Sequence, residues 1–331
     1  MPRKTFKKVF VTEELISQIN PENKNLVKRF IKEKSNRSSK TTLPAYQSDS
    51  NIFFVWNLLY NDNKLFTEIK KIEFADFFSF VVDEMQVGAS RQNRLRSFLS
   101  SLSNFIEKFY DAEYPHFKNI VLKTIESAPK EPRREKTILS NEQVTDLLEY
   151  FSKENKAIAC WLALAVFSGA RFAELLRFTT ELLDENNTAF GDLFLETTHP
   201  VQTKGRGRSG KMLYKYIIKD KFMPYYKAWL LEREEIMKKN SQEHNSIFIK
   251  QDGSPASDTT ARYWVSLIEK RLGMPFYPHA CRHFTVTEFA RKKIPSQLIQ
   301  SLIGWSSESM VTLYTDLSAK DMVWDELQNL K

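Results

Sequence analysis

Glycine is scarce in this chain, nine residues among 331, and neither G-x-G-x-x-G nor G-x-x-x-x-G-K-S/T occurs. Dinucleotide-binding and P-loop readings therefore have little to rest on, because both need glycine where backbone closes on a phosphate. Cysteine is scarcer: Cys160 and Cys281 stand far apart and make no C-x-x-C. Disulfide-stapled folds are excluded, and a reducing compartment fits better. Long apolar runs are missing too. The longest, Ala157 to Phe167, is far shorter than the roughly 20 residues of a bilayer-spanning helix. The amino-terminal segment MPRKTFKKVF is basic with no apolar region after it, unlike a secretory signal. A cytoplasmic protein with no membrane partner is expected.

What is present describes a globular chain of about two domains, with 42% hydrophobic and 13% aromatic residues. The formal net charge of +8 hints at a polyanionic partner without naming one. Its distribution says more. Residues 1–40 hold eleven Lys/Arg against four Asp/Glu, residues 41–137 thirteen of each, and residues 138–331 twenty-five against twenty-four. The surplus lies at the amino-terminal end, so any basic patch further along must come from arrangement.

The best boundary is Ser127 to Thr137, which has two prolines, dense charge and no large apolar residue. The expected organisation is a basic tail over 1–20, a helical domain over 21–126, a linker over 127–137 and a second domain over 138–331. In the first domain Pro21 fits the first position of a helix, and Asn51 to Tyr60 and Phe74 to Met85 are rich in apolar and aromatic residues. The clearest helix runs from about Ser90 to Tyr110. Leu95, Phe98, Leu99, Leu102, Phe105, Ile106 and Phe109 form its apolar stripe, and Arg91, Arg94 and Arg96 crowd its start. The second domain opens on Ser140 with Gln143, a capping box, and continues into a buried helix, Ala157 to Phe167. Strands are expected at Leu193 to Thr197 and Met212 to Ile218, joined by a basic loop, Thr203 to Lys211. Helices follow near Met223–Lys239, Asp258–Leu272, His279–Arg291, Ser296–Ile303 and Ser309–Thr315.

Four segments of the second domain carry residues of chemical interest. In Ser168-Gly169-Ala170-Arg171-Phe172-Ala173-Glu174-Leu175 an arginine stands at a turn with a glutamate one helical turn on; alone, this is an ordinary ion pair. From Thr203 to Lys219 there are six Lys/Arg and no acidic residue, which suits a cationic finger on a phosphate backbone or a solvated hairpin edge. In His279-Ala280-Cys281-Arg282-His283, the i,i+3 spacing puts His279 and Arg282 on one helix face. Zinc is not expected there, since no second Cys/His cluster completes four ligands. The last segment holds Gly304-Trp305 and then Val311-Thr312-Leu313-Tyr314-Thr315.

Taken together these segments resemble the tyrosine recombinases (the phage-integrase, Xer and Cre superfamily) over essentially the whole chain. The family pattern is Arg in T/S-G-x-R-x-x-E-L, Lys on a β-hairpin, H-x-x-R, then His or Trp, then a Tyr nucleophile. The residues that match are Arg171, Lys204, His279, Arg282, Trp305 and Tyr314. Many members have His where Trp305 stands, and an indole N–H can donate to a phosphate oxygen but cannot serve as acid or base. The hairpin is longer and more basic than the common form, so Lys211 competes with Lys204 as general acid; Thr203-Lys204-Gly205 matches the family's turn better.

The resemblance implies a mainly α fold with a small antiparallel sheet: a helical core-binding domain followed by a catalytic domain. It further implies a site-specific recombinase that cuts and rejoins DNA through a 3′-phosphotyrosyl link at Tyr314, without metal, cofactor or ATP. Glu174 would orient a basic neighbour. Arg91, Arg94, Arg96, Arg206, Arg208 and Lys211 would contact DNA phosphates. Double-stranded DNA carrying a recombination site would be the partner, and a homo-tetramer on two sites would be joined through the tail bearing Met322, Val323, Trp324, Leu327 and Leu330. Such a protein would be nucleoid-associated. About twenty residues precede the first helix, too few for the arm-binding domain of some phage integrases. The alternatives are a type IB topoisomerase-like strand transferase and a catalytically silent DNA-binding protein of the same fold.

Overall fold

A computed structural model describes residues 10–35, 42–129, 137–203 and 210–305. The chain divides into two units, one of residues 1–134 with 205–210 and the other of residues 135–204 with 211–331.

Unit one is helical: α1 (Glu13–Gln18), α2 (Pro21–Ser35), α3 (Thr42–Tyr60), α4 (Lys71–Asp83), α5 (Ala89–Phe109) and the short α6 (Val121–Thr124). Aromatic residues dominate its core. Phe53 of α3, fully buried, lies edge-on to Phe77 of α4 at 4.9 Å and stacks with Phe74 at 5.7 Å. Edge-to-face pairs of this kind add to the area that each ring buries. The expected stripe of α5 is in the core from Leu95 to Ile106, but Phe109 is 52% exposed. The helix ends there, so no further turn shelters that ring.

Unit two is built around α8 (Lys156–Ser168), whose twelve residues from Ala157 to Ser168 are all buried. A helix apolar all round must be wrapped on every side, and α7 (Asn141–Glu154), α10 (Lys219–Lys239) and α12 (Pro278–Arg291) do this. The capping box that opens α7 is present: Ser140 Oγ accepts from the Gln143 backbone N–H at 3.1 Å, and the Gln143 side chain accepts from Ser140 N–H at 2.9 Å. Asn155 ends α7 and caps α8. Cys160 and Cys281 are free and buried, on α8 and α12. Completing the helices are α9 (Phe172–Leu175), α11 (Asp258–Leu272) and α13 (Ser296–Ile303).

Two small antiparallel sheets complete the unit. Strands β1 (Thr188–Ala189), β2 (Phe194–Glu196) and β5 (Tyr216–Ile218) form one, in the order β1-β2-β5, while β3 (Val201–Thr203) and β4 (Lys211–Leu213) form the other. The single strand expected over Met212–Ile218 is therefore broken. Its first half pairs with β3, which composition does not reveal, in register Thr203↔Lys211; its second half pairs with β2, in register Leu195↔Ile217. The break falls at Tyr214 and Lys215, where Tyr214 is 49% exposed and Lys215 turns fully inward. The loop 204–209 and the expected helix Ser309–Thr315 lie outside the described residues.

Candidate active site

The site begins where α8 stops. Gly169 has φ +60°, and its N–H closes on Ala165 O at 3.0 Å, a left-handed cap that glycine adopts without strain. A Cβ there would stand 2.6 Å from Ile303 Cδ1, so the absence of a side chain also permits close packing against α13. The chain reverses into Arg171, which caps α9. Glu174 Oε1 meets Arg171 Nη1 at 2.8 Å, and Glu174 Oε2 accepts from Arg171 N–H at 3.0 Å. The ion pair suggested by the i,i+3 spacing exists, but its carboxylate is buried, so it is no surface pair.

Glu174 has a second cation that the sequence does not single out. Lys215 Nζ lies 2.8 Å from Glu174 Oε2, with side-chain exposures of only 3% and 2%. Burial works to raise the Glu174 carboxyl, but Lys215 and Arg171 outweigh it and hold the group below its ordinary value. Burial pulls the Lys215 ammonium below its ordinary value; Glu174 opposes this, while Arg282 and Arg171 add to it. No signal in the sequence singles out Lys215: Lys211 has the same two-residue parity relative to Ile217, and only burial separates the two lysines.

Arg282 comes from α12, which opens with Pro278 at its first position. It is 2% exposed. Its Nη1 donates to Gly169 O at 2.8 Å and its Nη2 to Ile303 O at 3.2 Å. The guanidinium thus ties the end of α8 to the end of α13, and its Cζ sits 5.0 Å from the centre of the Trp305 ring, within cation–π range. Trp305 reaches this place because α13 ends on Gly304, with φ +73°, where a Cβ would be 2.8 Å from Leu213 Cδ1. His279 stands three residues before Arg282 on α12. It is exposed near the helix start while Arg282 points into the interior, and its ring lies 6.1 Å from that of His283, one turn on.

The structure brings Arg171, Glu174, Arg282 and Trp305 together and adds Lys215. Lys211 stands exposed opposite Thr203 at the base of the hairpin. Lys204, Arg206, Arg208 and Tyr314 lie outside the described residues, as do the tail residues Met322 to Leu330. Among the described residues no cluster of His, Cys, Asp and Glu could hold a metal ion, and no helix is long and apolar enough to cross a membrane.

The arginines of α5, expected to contact DNA phosphates, make contacts inside unit one. Arg94 closes a two-nitrogen fork on Asp49, Nε to Oδ2 and Nη2 to Oδ1, both at 2.8 Å, and Arg91 Nη2 joins at 2.9 Å. Asp49 is fully buried, and a buried carboxylate demands such partners. Arg96 donates to Ile125 O at 2.5 Å and to Leu122 O at 3.3 Å, around α6. All three are engaged within unit one.

Residues 137–321 match the family model described as the phage integrase family. A prophage-derived recombinase-like protein, YomM of Bacillus subtilis (strain 168), is 28% identical over 92% of this chain and 89% of its own length. A tyrosine recombinase of Thermosipho africanus (strain TCF52B) is 22% identical over 86% of this chain and 92% of its own. Among solved structures, the site-specific recombinase XerH bound to its difH substrate superposes with a TM-score of 0.67 at 20% identity, covering 96% of this chain and 89% of that one.

Proposed function

The chain belongs to the phage integrase family, and from that premise we propose that it is a site-specific DNA recombinase working through a phosphotyrosyl intermediate. The observation that carries this reading is the convergence of Arg171 and Lys215 on the Glu174 carboxylate, with Arg282 beside Lys215 and Trp305 against Arg282. Such a cationic pocket suits a single phosphodiester.

In this reading the Tyr314 hydroxyl attacks the scissile phosphorus. A phosphorus–tyrosyl oxygen bond forms, the bond to the 5′-oxygen breaks, and a 3′-phosphotyrosine and a free 5′-hydroxyl result. A phenol with pKa near 10 is a weak nucleophile unless cations favour its phenolate. Arg171 and Arg282 donate to the non-bridging oxygens and stabilise the charge of the phosphorane-like state. The carbonyls of Gly169 and Ile303 hold the Arg282 plane before substrate arrives, which avoids reorganisation during reaction. The Trp305 N–H adds a neutral donor. His279 accepts or orients the tyrosyl proton, and Lys204 protonates the leaving 5′-oxygen. A 5′-hydroxyl from a partner strand reverses the step, so the bond energy is retained in the phosphotyrosine and neither ATP nor a resident metal is required.

Double-stranded DNA is the proposed partner, and a tetramer on two sites joined through the tail is the proposed assembly. Arg206, Arg208 and Lys211 are proposed to grip backbone from the hairpin. Arg91 and Arg94, with side chains 32% and 39% exposed, and Arg96 can do so only alongside the internal contacts that they already make. Two further proposals, a location on the nucleoid and the absence of any cofactor, go with this reading.

On a suicide substrate nicked beside the cleavage site, the parent should form a covalent adduct, and Tyr314→Phe should form none while still shifting the DNA. Adducts persisting in that variant would remove Tyr314 as nucleophile. A bridging 5′-phosphorothiolate needs no general acid and separates the two hairpin lysines. It should restore cleavage to Lys204→Ala; restoration of Lys211→Ala alone would transfer the role.

A further inference from the structure

Arg171 meets Glu174 in a way that Asp49, the other buried carboxylate among the described residues, does not share. At Asp49 a guanidinium closes both prongs of its fork, Arg94 Nε and Nη2 each bonding one oxygen, which is the strong bidentate geometry. Glu174 is as deeply buried and has its arginine only three residues away, yet Arg171 reaches it through Nη1 on Oε1. The second oxygen is occupied. Oε2 accepts from the Arg171 backbone N–H at 3.0 Å and from Lys215 Nζ at 2.8 Å.

Lys215 is held in place for this. Its N–H donates to Thr197 Oγ1 at 3.0 Å and its carbonyl accepts from Thr197 N–H at 2.9 Å, with Thr197 fully buried. Its ammonium also faces Gly304, whose added Cβ would stand 3.9 Å from Nζ. The lysine therefore lies between the turn that carries Arg171 and the turn that carries Trp305.

We propose that Lys215 is a positioning residue for strand transfer: by occupying Glu174 Oε2 it stops the carboxylate from closing a two-pronged fork on Arg171, whose second prong is thereby kept for the scissile phosphate. The proposal rests on the strand-transferase reading above. Removing one partner of a buried ion pair leaves an uncompensated charge and destabilises the fold, so a purely structural lysine would lose stability and DNA binding together with cleavage. A lysine that acts by competing for that carboxylate must slow cleavage with binding kept, and must matter less once Glu174 is neutral.

The test is single-turnover cleavage of the suicide substrate by full-length protein, with DNA affinity measured in parallel. Lys215→Met is expected to slow cleavage by about tenfold to a hundredfold, with DNA affinity changed by no more than about threefold. Introduced beside Glu174→Gln, the same Lys215→Met change is expected to cost less than about threefold relative to Glu174→Gln alone, because a neutral amide cannot close the fork. The double variant carries neither buried charge, so it can be assayed even if Lys215→Met alone folds poorly. Cleavage by Lys215→Met within twofold of the parent, or a full loss repeated in the Glu174→Gln background, would overturn the proposal. A parent with no Tyr314-dependent adduct would instead overturn the strand-transferase reading, and this inference with it.

Discussion

Glu174 shows how much one side chain can organise when it is buried among cations. Its folded-state carboxyl lies below the ordinary value of 4.5. The folded chain therefore binds that proton less readily than the unfolded chain, so the carboxylate adds stability above about pH 4.5, and the contribution is lost as pH falls through the lower folded value. Urea unfolding of the parent and of Glu174→Gln should show a parent advantage near neutrality that narrows below about pH 4.5; a constant gap would contradict that direction. Lys215 runs in the same direction in a more alkaline window: a depressed ammonium loses its proton first in the folded state, so stability gains as pH rises from its lowered folded value toward the ordinary 10.5. At this scale the motif residues Arg171, Glu174, Arg282 and Trp305 are legible because their spacing reports chemistry. Lys215 is not, because in sequence it is one of six basic residues of a hairpin, and burial alone separates it from Lys211. The internal contacts of the α5 arginines are not legible for the converse reason: Asp49 lies 45 positions from Arg94, and no local pattern announces so distant a partner.

The elements that read most clearly are those whose signals are local. The Ser140–Gln143 box, the uniform apolar run of α8 and the stripe of α5 depend on neighbours within a turn or two, and each element lies where those signals put it. Strand boundaries fare worse. A continuous stretch of β-forming residues does not reveal that its halves belong to different sheets, since that depends on β3 and on the inward turn at Lys215. The end of α8 carries a prediction. Gly169→Ala must force a non-glycine residue to a positive φ and bring its Cβ toward Ile303 Cδ1, 2.6 Å away. The cost should be about 1–3 kcal/mol in denaturant unfolding. Adding Ile303→Val, which removes the Cδ1 atom, should recover the contact part and leave the backbone part. Complete recovery would show that left-handed strain contributes nothing at this turn.

At the scale of the whole molecule, the mainly helical architecture follows from composition and periodicity, while the charge surplus is a poor guide to the half that holds the candidate site. Residues 138–331 are nearly neutral overall, yet among the described residues Arg171 and Lys215 share one carboxylate, Glu174, and Arg282 stands beside Lys215 with its Nη atoms on backbone carbonyls. An anion that offsets this excess binds the folded chain and not the unfolded one, so it must raise the unfolding temperature. Sulfate at ten times its dissociation constant would contribute about 1.4 kcal/mol, or roughly 3–6 °C for a domain of this size, against chloride at equal ionic strength. Arg171→Ala should lose most of that rise; an undiminished rise would place the anion elsewhere.

The cation-rich end of α8 has a consequence for how tightly the protein is knit. Its second unit folds with an imbalance in its own electrostatics, and on the strand-transferase reading the backbone of its target is the component that corrects it. Loading with DNA is then the last act of folding as well as the first act of catalysis. On that reading, the same excess of charge that would clasp the phosphate would also weaken the unloaded protein, a bias that favours the chain holding on until the strands are rejoined.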